Sequence, residues 1–178
     1  MTAHSDGLGS RHLVVLGLMA SGKTALATVL AQRLDRPLRD SDADIEVDTG
    51  RTVRELAAAE GPEAMHEREA AHLLDALTSA TPAVIAAAAS TVERDDCAKA
   101  MGRALVVWLD VPTDVLAARF ASRPHRPDFG RPVAELLREQ HARRGPLFEA
   151  VADVVLRYDA DAAAEVYAEA VLAAEVTR

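Results

Sequence analysis

The sequence predicts an α/β fold of three layers, in which a mainly parallel sheet of about five strands carries helices on both faces. Short apolar runs alternate with longer amphipathic stretches, which is the pattern of parallel strands joined by crossover helices. The 178 residues correspond to about one domain, and no linker or internal repeat divides them. We therefore predict a single domain over residues 1–178.

Five apolar runs predict the strands, and they cover residues 12–16, 37–39, 83–87, 104–109 and 154–156. One-face apolar spacing, capping signals and prolines predict the helices. These cover residues 25–34, a short helix that begins at the capping box of residues 52–55, and residues 62–79, 93–101, 113–122, 133–150 and 162–176. Gly145-Pro146 predicts a break in the helix 133–150. The proline- and arginine-rich segment 123–132 is predicted to be a loop.

Composition excludes several classes of protein. The formal net charge of -8 argues against a free-standing nucleic-acid binder, which usually carries a basic surface. A single cysteine, Cys97, excludes an intramolecular disulfide and a zinc site built from four cysteines. The first eleven residues lack a hydrophobic signal core, and no apolar run approaches the roughly 20 residues that span a bilayer. We expect a cytoplasmic protein, a monomer, with neither nucleic acid nor membrane as a partner.

The segment from Gly17 to Thr24 reads GLMASGKT and fits the phosphate-loop pattern G-x-x-x-x-G-K-[ST] in full. Glycines let successive backbone N–H groups point at phosphate oxygens, and the following helix adds its positive end. Lys23 is one of only two lysines in the chain, and it stands at the position that reaches the β- and γ-phosphates. The expected cofactors are ATP and Mg²⁺, with Thr24 as a metal ligand. The nucleotide site is predicted to comprise Gly17, Ala20, Ser21, Gly22, Lys23, Thr24 and Ala25.

Five further segments follow the phosphate loop in a specific order. They are DSDADIE at residues 40–46, TGRTVREL at 49–56, GPEAMHERE at 61–69, an arginine-rich loop at 123–131, and RRGPLF at 143–148. With these segments, the sequence resembles the shikimate kinase family, a group of P-loop enzymes related to the nucleoside monophosphate kinases. The resemblance covers most of the chain. It implies a P-loop kinase fold with an acceptor-binding region over about 40–79 and a mobile lid over about 123–131.

The resemblance implies roles for individual residues. Asp42 would contact the acceptor hydroxyl, and a carboxylate that accepts its proton suits a kinase. Asp40 would lie near the metal. From the residues alone, Asp40-Ser41-Asp42 could instead cap the following helix, and both could hold together, although the family match favours the functional role. Arg126 in the lid would stabilise the transferred phosphoryl group, and Arg119 would stack on adenine. Arg144 would pair with a carboxylate of the acceptor, which suits its planar guanidinium fork.

Two positions depart from the family pattern, and both belong to the acceptor half. The family has a second carboxylate-binding arginine where this chain has His66. Arg68 lies two residues further on, at another side of the helix, and cannot replace it. The family also has three glycines where this chain has alanines at 87–89, and each alanine adds a methyl group and disfavours positive φ. His66, Ala88 and Ala89 remain predicted acceptor-site residues.

The sequence thus predicts ATP-dependent phosphorylation of a hydroxyl group on a small polyhydroxylated metabolite. The best single substrate is shikimate, which would give shikimate 3-phosphate. Two alternatives remain open at this point. One is a gluconate-type or other carbohydrate or cyclitol kinase, and the other is a nucleotide-binding relative without catalytic activity, since fold alone is a poor guide to substrate.

Overall fold

The computed structural model describes residues 9–122 and 129–176 of the chain. Five parallel strands form one sheet in the order β2-β3-β1-β4-β5. The strands are β1 (Leu13–Leu16), β2 (Leu38–Asp40), β3 (Val84–Ala86), β4 (Leu105–Asp110) and β5 (Val154–Arg157). The predicted sheet of about five strands is confirmed, each within two residues of its predicted bounds.

Helices cover both faces of the sheet, so the three-layer α/β prediction is confirmed as well. Alternate strand residues face opposite sides. Val14 and Leu16 belong to one buried apolar cluster, and Leu13 and Val15 belong to the other. The helices are α1 (Lys23–Leu34), α2 (Ser41–Thr49), α3 (Val53–Glu60), α4 (Pro62–Thr78), α5 (Asp95–Met101), α6 (Thr113–Ala121), α7 (Val133–Val151) and α8 (Ala164–Val176), with a 3-10 turn at Ala89–Glu93.

The predicted break at Gly145-Pro146 is wrong, because α7 continues through Pro146 to Val151. A proline inside a helix costs about 3 kcal/mol through one missing hydrogen bond and a steric clash. Leu137 and Phe148 lie on either side of this proline and are fully buried, and the Phe148 ring stacks on Trp108. The burial of these side chains offsets the cost of the proline and keeps the helix continuous.

The helix α2 is absent from the predicted helices, and the structure shows why it forms. The Asp40 side chain accepts hydrogen bonds from the backbone N–H groups of Asp42 and Ala43, which makes Asp40 the N-cap of α2. Gly50 ends the helix in a left-handed conformation. The predicted lid at 123–131 falls mostly on residues 123–128, outside the described residues.

Parallel strands bring their carboxyl ends to one edge of the sheet, where α/β folds bind their ligands. At this edge the phosphate loop follows β1, Asp40 ends β2, and the alanines 87–89 follow β3. In the described part of the chain, no helix is long and apolar enough to cross a membrane.

Candidate active site

A cavity of about 710 Å³ opens at the carboxyl edge of the sheet. It joins the phosphate loop to the region after β2, to α4 and to the start of the 3-10 turn. Of the site residues predicted from the sequence, it brings together Ala20, Gly22, Lys23, Thr24, Ala25, Asp40, Asp42, His66, Ala88, Ala89 and Arg144. Gly17, Ser21 and Arg119 lie outside its lining, and the predicted catalytic Arg126 lies outside the described residues.

The phosphate loop requires glycine at its first position. Gly17 has φ +152, and a Cβ there would lie 2.7 Å from Ser21 Oγ and 3.0 Å from the carbonyl oxygen of Leu109. Ala20 adopts a left-handed conformation with φ 62, which is costly for an alanine. The loop then leads into α1, which begins at Lys23 without a side-chain cap. The first N–H groups of α1 are therefore available to phosphate oxygens.

Asp40 connects the phosphate loop to the acceptor region through both of its carboxylate oxygens. Oδ2 accepts a 2.7 Å hydrogen bond from Thr24 Oγ1, and Oδ1 accepts the two hydrogen bonds that cap α2. Asp40 therefore caps α2 and also contacts the nucleotide loop. Thr24 and Asp40 present hard oxygen ligands to the same cavity, which is the donor type that Mg²⁺ prefers.

Two carboxyl groups in the acceptor half have raised pKa values. Burial raises the pKa of Asp42 above its ordinary value, although the nearby Lys23 ammonium partly opposes this. Burial also raises the pKa of Glu69, against the opposing hydrogen bond that Ser90 Oγ donates to Glu69 Oε2. Glu69 was not predicted as a site residue. Its position one helical turn after His66 on α4 was the signal that could have found it.

Arg144 is 4% exposed and half of its guanidinium fork is occupied, because NH2 donates a 2.8 Å hydrogen bond to Glu93 Oε2. Its Nε has no hydrogen-bond partner within residues 9–122 and 129–176. Arg143 forms an ion pair with the same Glu93. Arg144 itself lines the cavity, so Glu93 holds its guanidinium group at the edge of the acceptor region.

The other two basic positions of the acceptor region behave as the sequence predicts. His66 is exposed and lines the cavity. Arg68 instead forms a 2.8 Å ion pair with Glu60 of α3 and does not line the cavity. No arginine of α4 therefore replaces the one that the family has at position 66.

Arg119 lies behind the phosphate loop rather than inside the cavity. Its NH1 donates hydrogen bonds to the carbonyl oxygens of Ala20 and Ser21, at 3.4 and 3.1 Å. Its guanidinium carbon lies 5.1 Å from the centre of the Tyr158 ring, a cation–π arrangement. These contacts hold the guanidinium beside the nucleotide loop.

Comparison with known proteins gives consistent results. A family model described as shikimate kinase matches residues 19–175. The chain is 37% identical to a shikimate kinase of Symbiobacterium thermophilum over 162 residues, which covers 89% of this chain and 92% of that protein. It is 34% identical to a shikimate kinase of Shewanella amazonensis over 167 residues, with 91% and 95% covered.

Solved structures share the fold. A shikimate kinase from Acinetobacter baumannii in complex with shikimate superposes with a TM-score of 0.87 at 24% identity, and 98% of each chain is covered. A gluconokinase from Sinorhizobium meliloti superposes with a TM-score of 0.60 at 20% identity, with 94% of this chain and 93% of that chain covered. At these identities the likeness concerns the fold alone.

Replacing Lys23 by alanine is expected to abolish turnover and to weaken ATP binding. The ammonium group serves the phosphates, and within the protein it donates a hydrogen bond to the Leu18 carbonyl oxygen and offsets part of the charge of Asp42, so the thermal unfolding midpoint should fall only slightly. Steady-state kinetics, ATP titration calorimetry and thermal unfolding check this, with Lys99→Ala on α5 as the matched control. A Lys23→Ala variant that retains a tenth of the wild-type rate would contradict the phosphate-loop assignment.

Replacing Asp42 by asparagine is expected to lower turnover about 10²- to 10⁴-fold, the usual contribution of a general base, and to leave ATP affinity nearly unchanged. Because burial raises the pKa of Asp42, its ionised form costs folding free energy at neutral pH. The asparagine variant should therefore unfold at a higher temperature than wild type at pH 7, and this difference should shrink as the pH falls through the raised pKa. A proportional loss of ATP affinity would instead place Asp42 among the metal ligands.

Proposed function

The chain belongs to the shikimate kinase family, and from this membership we propose that it transfers the γ-phosphoryl group of ATP to a hydroxyl group of shikimate, giving shikimate 3-phosphate. It is an ATP-dependent phosphotransferase. The observation that best supports phosphoryl transfer to a hydroxyl group is that the phosphate loop and Asp42 line the same cavity. A donor phosphate and an acceptor hydroxyl can meet in this cavity without any intervening element.

On this proposal, the nucleotide half binds and orients ATP. The N–H groups of the phosphate loop and of the first turn of α1 bind the phosphates, and Lys23 neutralises charge on the transferred group. Arg119 stacks on the adenine ring. Arg126 approaches the transferred phosphoryl group from the lid at 123–131, which closes over ATP.

Thr24 and Asp40 would hold Mg²⁺. Mg²⁺ keeps several waters and needs only one or two protein ligands beside the phosphates, so two oxygen donors fit it. The described residues contain no cluster of three or more metal-ligating side chains, which agrees with so sparse a site. When bound, the ion would neutralise charge on the phosphate oxygens.

In the acceptor half, Asp42 orients the reacting hydroxyl and accepts its proton. The raised pKa of this carboxyl group makes it a better proton acceptor than an ordinary aspartate. Arg144 lines the cavity and pairs with the carboxylate of shikimate. His66, Ala88 and Ala89 line the rest of the acceptor pocket. We further propose that the protein is a cytoplasmic monomer whose ligands are small molecules.

The proposed function is tested by an ADP-release assay on a panel of alcohols. Shikimate, gluconate and a cyclitol are compared at matched concentrations with ATP and Mg²⁺, and the Lys23→Ala variant serves as the blank. Shikimate is expected to give the highest kcat/KM. A higher value for gluconate or the cyclitol would replace the proposed substrate, and ATP binding without turnover on any member would indicate a non-catalytic relative.

His66 is expected to weaken the binding of shikimate. A charge-assisted hydrogen bond contributes about 1.5–3 kcal/mol, so its loss raises the Michaelis constant roughly ten- to a hundredfold. His66→Arg should recover part of this affinity with little change in ATP binding. Thr78→Arg adds the same charge at an exposed position of α4 away from the cavity and should recover none.

Calorimetric titration of shikimate into wild type and both variants measures the difference. Tight binding by wild type would contradict the predicted role of His66, and so would equal affinities of wild type and His66→Arg. A gain in Thr78→Arg as large as that in His66→Arg would assign the effect to net charge.

A further inference from the structure

A partly buried ionic cluster lies on the side of α2 that faces away from the active-site cavity. His72 of α4 has a side chain that is 4% exposed, and its Nε2 lies 2.7 Å from Asp44 Oδ2. Arg39 Nε donates a 2.7 Å hydrogen bond to the same oxygen, and Arg39 NH2 reaches Asp75 at 3.2 Å. These four residues are called the rear cluster below. They tie together β2, α2 and α4, the three elements that carry the acceptor half of the site.

Asp44 is ionised in this arrangement. Burial acts to raise its pKa, but hydrogen bonds from Arg39 and His72 outweigh burial and hold the pKa below its ordinary value. An ionised carboxylate can only accept hydrogen bonds. Nε2 of His72 therefore carries a hydrogen and donates a hydrogen bond to Asp44 Oδ2. The Nδ1 atom of His72 is buried and has no hydrogen-bond partner among the described residues. The hydrogen bond to Asp44 is thus the polar contact that orients this ring.

The rear cluster adds a second polar anchor to α2, which Asp40 already holds at its N-terminus. Only Ser41 and Ile45 of this helix are buried, and the side chain of Val47 projects into solvent. Asp42 and Asp44 are two positions apart, which places them about 200° apart around the helix axis. Asp42 therefore faces the cavity while Asp44 faces the rear cluster. Any rotation of α2 that moves Asp44 must move Asp42 as well.

We propose that His72 and Arg39 are positioning residues, which act through Asp44 to fix the rotation of α2 and thereby hold the Asp42 carboxylate at the acceptor hydroxyl. This inference rests on the proposed function, because it gives Asp42 the acceptor role. Neither His72 nor Arg39 lines the active-site cavity, so an effect on turnover has to pass through another residue. Such misplacement of a catalytic group by a distant change can cost about 100-fold in rate.

The experiment compares His72→Leu, His72→Gln and Asp75→Asn with wild type. His72→Leu removes the donor, and it is expected to lower kcat with shikimate about 10- to 100-fold while ATP affinity stays within about twofold. Gln places an amide N–H near the position of Nε2 without a charge, so His72→Gln should recover most of the rate. Asp75 is the exposed end of the rear cluster, and Asp75→Asn should behave as wild type.

A double-mutant cycle shows whether the effect passes through Asp42. In the Asp42→Asn background, His72→Leu should cost less than about twofold, because the carboxylate it positions is already gone. Rate losses that multiply in the double mutant would overturn the proposal. A His72→Gln variant as slow as His72→Leu would also overturn it, since charge rather than hydrogen bonding would then be responsible. Equal losses of ATP affinity and turnover in His72→Leu would indicate a general structural defect instead.

Hydrogen exchange of the α2 amides, residues 41–49, gives a readout that needs no substrate. His72→Leu is expected to speed exchange in α2 but not in α8, because the two helices pack into different apolar clusters. If wild type fails to phosphorylate shikimate, the proposed function fails and this measurement still decides the positioning inference. Unchanged exchange in α2 would overturn it.

Discussion

The carboxylate of Asp40 is the contact on which the arrangement of the site depends. One oxygen accepts from Thr24 in the first turn of α1, and the other starts α2 by capping its N-terminus. Removing this carboxylate would leave Thr24 without its acceptor and α2 without its cap, and loss of a helix cap alone costs about 1 kcal/mol. Asp42 is the second residue of α2, so the Asp40 side chain fixes the start of the helix relative to the phosphate loop, while the rotation of the helix depends on its other contacts.

The acceptor half gathers negative charge at a cost in stability. Burial raises the pKa values of both Asp42 and Glu69, so their protonated forms favour folding and their ionised forms oppose it. This contribution is stabilising below the ordinary carboxyl pKa and is lost as the pH rises through the raised values. At neutral pH the site therefore lowers the free energy of unfolding, and Lys23 and Arg144 offset only part of the loss. Burial that raises the pKa of a carboxyl group also makes its ionised form a stronger proton acceptor.

The sequence predicted those features whose signal is local. Each of these signals lies within about ten residues: the apolar runs of the strands, the phosphate-loop pattern and the acidic segment after β2. The structure contains all five strands and the cavity that joins these motifs. Contacts between distant residues had no such signal. Ser90 to Glu69 and Arg144 to Glu93 span 21 and 51 positions, and each forms only because α4, α7 and the 3-10 turn pack together. The predicted helix break at Pro146 is wrong for the same reason. The proline does destabilise the helix locally, but the packing of buried side chains from distant elements outweighs this cost.

The charged groups of the acceptor half determine how the acceptor is recognised. An imidazole lacks the planar fork of the arginine that the family has at position 66, and Glu93 already occupies one nitrogen of Arg144. The acceptor carboxylate is then left with a single, partly occupied guanidinium. On the proposed function, a larger share of the binding free energy has to come from the hydroxyl groups of the substrate. Of the carboxylates that line the cavity, Asp40 belongs to the proposed metal site, which leaves Asp42 and Glu69 to the acceptor. Because an unpaired buried acceptor is costly, these two favour ligands with a hydroxyl at each position.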